Sequence, residues 1–178
     1  AVLKVMLFIS VIGMVGIEAT SFVAVLGAAG LAVGLALQGT LQNFAGGVII
    51  LLLRHFKVGD WVDTGSYAGT VHSIQIFNTY LKTPDNVTII IPNGGLANSS
   101  LKNFSSEPRR RVDWTFGVGY GDSVDKTKET LLSLINEDDR ILQDPAPFIG
   151  LSELGDSSVN FVVRAWVNAG DYWGVFFD

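Results

Sequence analysis

Residues 19–53 carry no charged side chain, and residues 5–17 carry none either; Lys4 and Glu18 are the only breaks. Beyond Leu53 charges return at ordinary spacing. The chain therefore divides into a membrane part and a water part. A bilayer core needs about 20 apolar residues for a helical span. Residues 1–18 are slightly short of that and predict the closing part of a spanning helix whose beginning precedes residue 1. The longer run would extend roughly 50 Å as one straight helix, beyond the ~30 Å hydrocarbon core. Gly39 and the Gly46, Gly47 pair are possible break points, near the polar Gln38, Thr40, Gln42 and Asn43. The pattern predicts a spanning helix over 21–38 and an amphipathic helix over 40–53. Arg54, His55 and Lys57 follow at once and place that end in the cytoplasm by the positive-inside tendency.

Within the spanning helix, small residues form two stripes. At about 100° per residue, Gly27, Gly30 and Gly34 fall within about 60° of one another. Ala28, Ala32 and Ala36 make a second stripe beside the first. Leu31 and Leu35 stand on the ridge between them. Small residues let helix backbones approach closely in a membrane. Two different stripes predict a different neighbour on each side, a heterologous contact that closes into a ring when repeated about an axis. The leucine ridge then faces the axis, and apolar rings can close a pore by dewetting. The alternative is ordinary helix packing in a bundle around the GxxxG at Gly30 and Gly34.

After Lys57 the period changes to two. Residues 60–63, 69–74 and 86–92 read as short strands with Gly, Asn and Pro turns between them. Pro92, Asn93 and Gly94 read as a turn that ends the last of these. These strands predict a small Sm-like β barrel or sandwich over 57–107. Residues 108–178 predict a ferredoxin-like βαββα domain, with strands at 112–118, 148–154 and 159–167, a helix at 123–136 and another from Asp171. The final strand of that arrangement is expected to lie beyond residue 178. The fold class is thus membrane α followed by cytoplasmic β and α+β, with domains at 1–18, 19–56, 57–107 and 108–178.

Composition removes several chemistries. Of 178 residues, 48% are apolar and 16% charged, the net charge is −5, and there is no cysteine. Thiol catalysis, disulfides and cysteine metal sites are excluded. The acidic balance argues against nucleic-acid binding. His55 and His72 lack metal-ligand spacing. A positive n-region and cleavage site of a signal peptide are missing. The glycines at 117, 119 and 121 are spaced GxGxG, not the GxGxxG of a dinucleotide site. Arg109, Arg110 and Arg111 after Pro108 read as a solvated linker, with phosphate contact or a bias on permeating anions as alternatives. Glu137, Asp138 and Asp139 read as a solvated helix end, since no nucleophile or base accompanies them. Nothing calls for a cofactor, and no active site is legible.

The run AAGLAVGLALQGTLQN at 28–43 closely resembles the pore helix of small-conductance mechanosensitive channels. FKVGD at 56–60, GTV at 69–71, IPNG at 91–94, NFS at 103–105 and NFVVR at 160–164 match the same family in order. The resemblance implies a homoheptameric inner-membrane channel, multi-pass, with its C-terminal part in the cytoplasm. Membrane tension opens it, and ions and small osmolytes leave on hypo-osmotic shock. Its partners are then other copies of itself, membrane lipid and the permeating solutes. Carried onto matching positions, Leu31 and Leu35 resemble the pore seal, and Gly39 and Gly47 the kink sites. Leu37 and Leu41 resemble contacts with the sensor helices. Asn43 and Asn93 resemble a pair linking pore helix to β domain, and Arg54 and Lys57 basic residues that meet an acid on a helical loop. The competing reading is a membrane-anchored cytoplasmic binding or scaffold module that conducts nothing.

Overall fold

The computed structural model describes residues 2–14 and 20–178. Residues 1 and 15–18 of the expected first segment, and residue 19 of the second, lie outside the described residues. Helices come first, then short strands, then a mixed α and β region, in the order of the expected fold class. By compactness there are two units, Ala1–Val58 with Gly69–Leu101, and Gly59–Ala68 with Lys102–Asp178.

The first unit begins with α1 (Val2–Met14) and α2 (Thr20–Leu53). Here the structure differs from the expectation of two helices meeting at Gly39: residues 20–53 are one helix. Glycine weakens a helix by about 1 kcal/mol but keeps its N–H, unlike proline. With leucine and alanine on both sides, one glycine does not interrupt the ladder. Among the described residues, α2 alone is long and apolar enough to cross a membrane. All side chains from residue 20 to 42 are exposed, and burial begins only at Gly46, Gly47 and Ile50. Arg54 closes the helix in the left-handed region (φ 52°), its N–H donating to the Ile50 carbonyl at 2.9 Å. That is the αL way of ending a helix, here without glycine.

In the same unit β2 (Ala68–Ile74), β3 (Asn78–Lys82) and β4 (Thr88–Pro92) form an antiparallel set with β3 in the middle. Strand β3 was not expected from the sequence, because Asn78 and Thr79 blur its alternation. The structure also corrects the turn at Pro92, Asn93 and Gly94. These residues end β4 and start a short helix, α3 (Asn93–Asn98). Proline preset at φ −61° and extended makes a sharp entry, and the helix can begin directly after it.

In the second unit β1 (Trp61–Asp63) pairs with β5 (Lys102–Asn103). Strand β6 (Arg109–Val118) is followed by α4 (Val124–Glu137), β7 (Ile141–Leu142), β8 (Phe148–Leu154), β9 (Val159–Asn168) and α5 (Tyr172–Phe177). Strand β9 is central: β6 pairs along one side, and β7 and β8 follow one another along the other. Its alternation is complete, with Val159, Phe161, Val163, Ala165 and Val167 buried. Of these, Val163, Ala165 and Val167 meet Val112, Ile135, Ile141 and Val175 in one core.

Two readings of charged motifs resolve here. Arg109, Arg110 and Arg111 are not a linker but the first residues of β6, paired with Asn168, Val167 and Trp166. The Arg110 guanidinium lies 3.5 Å from the Tyr172 ring centre and 4.8 Å from that of Phe104. Asp138 ends α4 and meets Arg140 at 2.6 Å; Arg140 also reaches Asp178 at 2.8 Å. The hydrogen bond from Arg140 holds the Asp138 carboxyl below its usual range. The glycine-rich stretch is a turn: the Gly119 N–H donates to Asp122 at 2.9 Å, and Ser123 caps α4.

Candidate functional site

The most constrained place in the first unit is where the last turns of α2 meet α3 and the end of β4. Gly46 and Gly47 have no side chains, so this part of α2 lies directly against backbone. A Cβ at Gly46 would stand 2.5 Å from the Asn93 carbonyl oxygen and 2.7 Å from the Gly94 nitrogen. One at Gly47 would stand 2.5 Å from the Ile76 carbonyl oxygen and 2.7 Å from the Asn93 side-chain nitrogen. From the other side, a Cβ at Gly94 would meet the Asn43 Oδ1 and Gln42 Cγ at 2.9 Å. Three glycines thus make one interlock, and glycine is required here for close approach rather than for its backbone freedom.

Hydrogen bonds hold the same contact. A helix begins with orphan N–H groups, usually met by the side chain of the N-cap residue. Pro92 has no such side chain. Asn43 supplies the cap instead: its Oδ1 accepts from the Gly94 N–H at 2.9 Å across 51 positions of sequence. Asn93 is fully buried. Its Nδ2 donates to the carbonyls of Gln75 (2.8 Å) and Ile76 (3.2 Å), and its Oδ1 accepts from the Thr79 hydroxyl at 2.8 Å. Its backbone N–H donates to the Phe77 carbonyl at 2.9 Å.

Asn43 and Asn93 are therefore brought to one junction, though among the described residues no hydrogen bond runs between their side chains. The link passes from Asn43 to the backbone of Gly94, while Asn93 is anchored within the strand layer. Losing this cap is expected to cost about 1 kcal/mol. Asn43→Ala should speed hydrogen exchange at the Gly94 amide, whereas Asn43→Asp, which keeps the acceptor beside a helix N-terminus, should leave it protected. Equal exchange in both variants would show that the side chain is not the cap.

The other expected site residues lie apart from this junction. Leu31 and Leu35 are 66% and 62% exposed, and Leu37 and Leu41 are exposed as well. Around Gly27, Gly30, Gly34 and Gly39 nothing among the described residues lies within 4 Å of a Cβ position. Ala28, Ala32 and Ala36 are exposed too. Both stripes and the ridge between them are thus bare within one chain. Arg54 and Lys57 are exposed where α2 ends. Gly46, Gly94 and Thr79 were not singled out as site residues from sequence. A glycine pair inside an otherwise strong helix was the available signal, since propensity opposes it and only a contact would justify it.

Three family models tile the chain. Residues 2–38 match "Mechanosensitive ion channel, transmembrane helices 2/3", residues 39–106 the "beta-domain" and residues 112–178 the "MscS, C-terminal" model. The chain belongs to the MscS family of mechanosensitive channels. A small-conductance mechanosensitive channel of Edwardsiella ictaluri is 50% identical over 151 residues, covering 85% of this chain and 53% of the relative. One from Helicobacter pylori is 37% identical over 161 residues, 90% of this chain and 58% of that protein. The crystal structure of Helicobacter pylori MscS in a closed state superposes with a TM-score of 0.83 at 35% identity. That match covers 94% of this chain and 66% of the other. Arabidopsis thaliana MSL1 shares the fold at a TM-score of 0.74 and 20% identity, over 94% of this chain and 63% of that one. The chain spans about half the length of the curated relatives it matches, 53% and 56% for the first two. Junction and bare helix therefore belong to an MscS-type membrane protein whose α2 falls in the transmembrane and β-domain models.

Proposed function

We propose that this chain is the pore-forming part of a channel that membrane tension opens to release ions and small osmolytes on hypo-osmotic shock. The carrying observation is the long bare stretch of α2. Residues 20–42 are exposed on every side and free of charge, with an open glycine stripe, an alanine stripe and a leucine ridge between. Lipid accounts for apolar exposure, but not for two smooth stripes flanking one ridge. Other copies of the same chain account for both, glycine face on alanine face around an axis. Seven copies follow from the family resemblance, as does a multi-pass chain in the inner membrane with residues beyond 57 in the cytoplasm.

Opening widens such a ring in the membrane plane. Tension acts on that area difference, and only a difference between two states can be driven. Leu31 and Leu35 close the ring at rest by excluding water, and Gly39 and Gly47 are the places where α2 bends between states. Leu37 and Leu41 meet the sensor helices on the outer side, and Arg54 and Lys57 meet an acid on a neighbouring helical loop. The Asn43 cap and the Gly46, Gly47 interlock pass helix movement to the strand layer.

The test uses the full-length protein purified into lipid vesicles. Suction on excised patches is expected to give stepwise currents whose open probability rises steeply with tension. Intact, assembled protein that passes no current at any tension short of patch rupture would overturn the reading and leave a membrane-anchored binding module in its place.

A further inference from the structure

The junction contains a polar side chain that neither helix supplies. Thr79 is the second residue of β3, fully buried, opposite Ile74 of β2 and Ile91 of β4. Its position is fixed by strands on both sides. We propose that Thr79 is the positioning residue of the junction: its hydroxyl selects the orientation of the Asn93 carboxamide and so holds α2 in the seat seen here.

An asparagine amide has an oxygen that only accepts and a nitrogen that only donates. On its nitrogen side Asn93 faces two carbonyls, Gln75 and Ile76. On its oxygen side it faces the Thr79 hydroxyl at 2.8 Å. With the hydroxyl donating, one orientation satisfies every group. The flipped amide would set an oxygen against two carbonyl oxygens. Without the hydroxyl, the Asn93 oxygen is buried with no donor, and a buried acceptor left unpaired is strongly disfavoured. Relief requires the side chain to turn, and there is no slack for that. The Asn93 side-chain nitrogen lies only 2.7 Å from where a Gly47 Cβ would be, and the Asn93 carbonyl oxygen only 2.5 Å from where a Gly46 Cβ would be. Any turn of Asn93 displaces α2 or the start of α3, and with it the Gly94 N–H that Asn43 holds. The Thr79 hydroxyl bonds to Asn93, the first residue of α3, so its influence on α2 passes through Asn93.

The inference rests on the channel reading for its effect on gating, and on local geometry for its effect on the junction, so the experiment reads both in the full-length protein. The arrangement resembles a closed-state relative. Releasing the junction should therefore ease opening. Thr79→Val keeps the shape and removes the hydroxyl; it is expected to raise open probability about tenfold at a fixed tension below the wild-type midpoint, the scale of one net hydrogen bond. Thr79→Ser restores the hydroxyl and should return the tension curve to that of the wild type. In an Asn93→Ala background, Thr79→Val should add nothing further. Hydrogen exchange at the Gly94 amide should quicken in Thr79→Val and recover in Thr79→Ser. A Thr79→Val channel with unchanged tension curve and unchanged Gly94 exchange overturns the proposal, as does an equal added shift in the Asn93→Ala background. If even the wild type passes no current, the channel reading has failed; Gly94 exchange then still decides, with faster exchange supporting the positioning role and unchanged exchange refuting it.

Discussion

Replacing Gly46 by alanine is expected to force α2 away from α3, at a net cost of about 2 kcal/mol. Two effects oppose each other. Alanine is the better helix former by about 1 kcal/mol. Against that, the new methyl would stand 2.5 to 2.7 Å from three backbone atoms of Asn93 and Gly94. Overpacking of this kind costs typically 1–3 kcal/mol, and the upper end applies where the neighbour cannot yield. Here it cannot, because the Asn93 N–H is tied to the Phe77 carbonyl and the Gly94 N–H to Asn43. Crowding therefore outweighs propensity. Gly39→Ala is the internal control: the same change in the same helix, with open space around it within the chain. Thermal unfolding of the two variants in detergent checks this. A lowered midpoint for Gly46→Ala with none for Gly39→Ala is the expected pattern, and equal midpoints would contradict the interlock.

The second large effect is expected at the leucine ridge. Leu35→Ser exchanges a side chain whose burial is worth about 1.5–3 kcal/mol for one that welcomes water. In a ring every copy carries the change, so the penalty for wetting the constriction falls many times over. Opening should then need markedly less tension, and cells making the variant should leak and grow poorly. Leu31→Ala should widen the constriction and act in the same direction with smaller effect. Patch recordings on both variants test it; unchanged threshold and conductance would mean these side chains face lipid. Gly34→Ala complements the pair. Within one chain nothing lies near a Cβ at that position. Loss of assembly on adding one methyl would thus require a second copy packed against it, while undisturbed assembly would remove the stripe from the interface.

Several features were legible because they are local. The Ser123 cap needs only its own helix start, and its side chain accepts from the Lys126 N–H. The run at 148–154 is a strand as read, with Phe148 and Ile149 opening it after Pro147 and Gly155 closing it. At Pro92, Asn93 and Gly94 local reading failed, since the same dipeptide chemistry suits a turn and a helix entry. What separated them was Asn43, which caps Gly94 from a distant helix. Arg110 misled similarly. A basic run after proline suggests a solvated linker, yet the β9 residues it pairs with and the Tyr172 ring it meets lie far away in sequence.

By itself, the order of residues determined which stretch seeks lipid, which faces of α2 are smooth, and which positions of β9 turn inward. Those are properties of period and polarity, and they hold whatever the neighbours are. Only the tertiary structure decided that Gly46, Gly47 and Gly94 are a contact surface, that Asn93 is locked by Thr79, and that Asn43 completes another helix. A glycine carries no mark of what will press against it, and a buried amide can be satisfied in many ways. Which one is realised depends on faces meeting across dozens of residues, and that is a matter of packing in three dimensions.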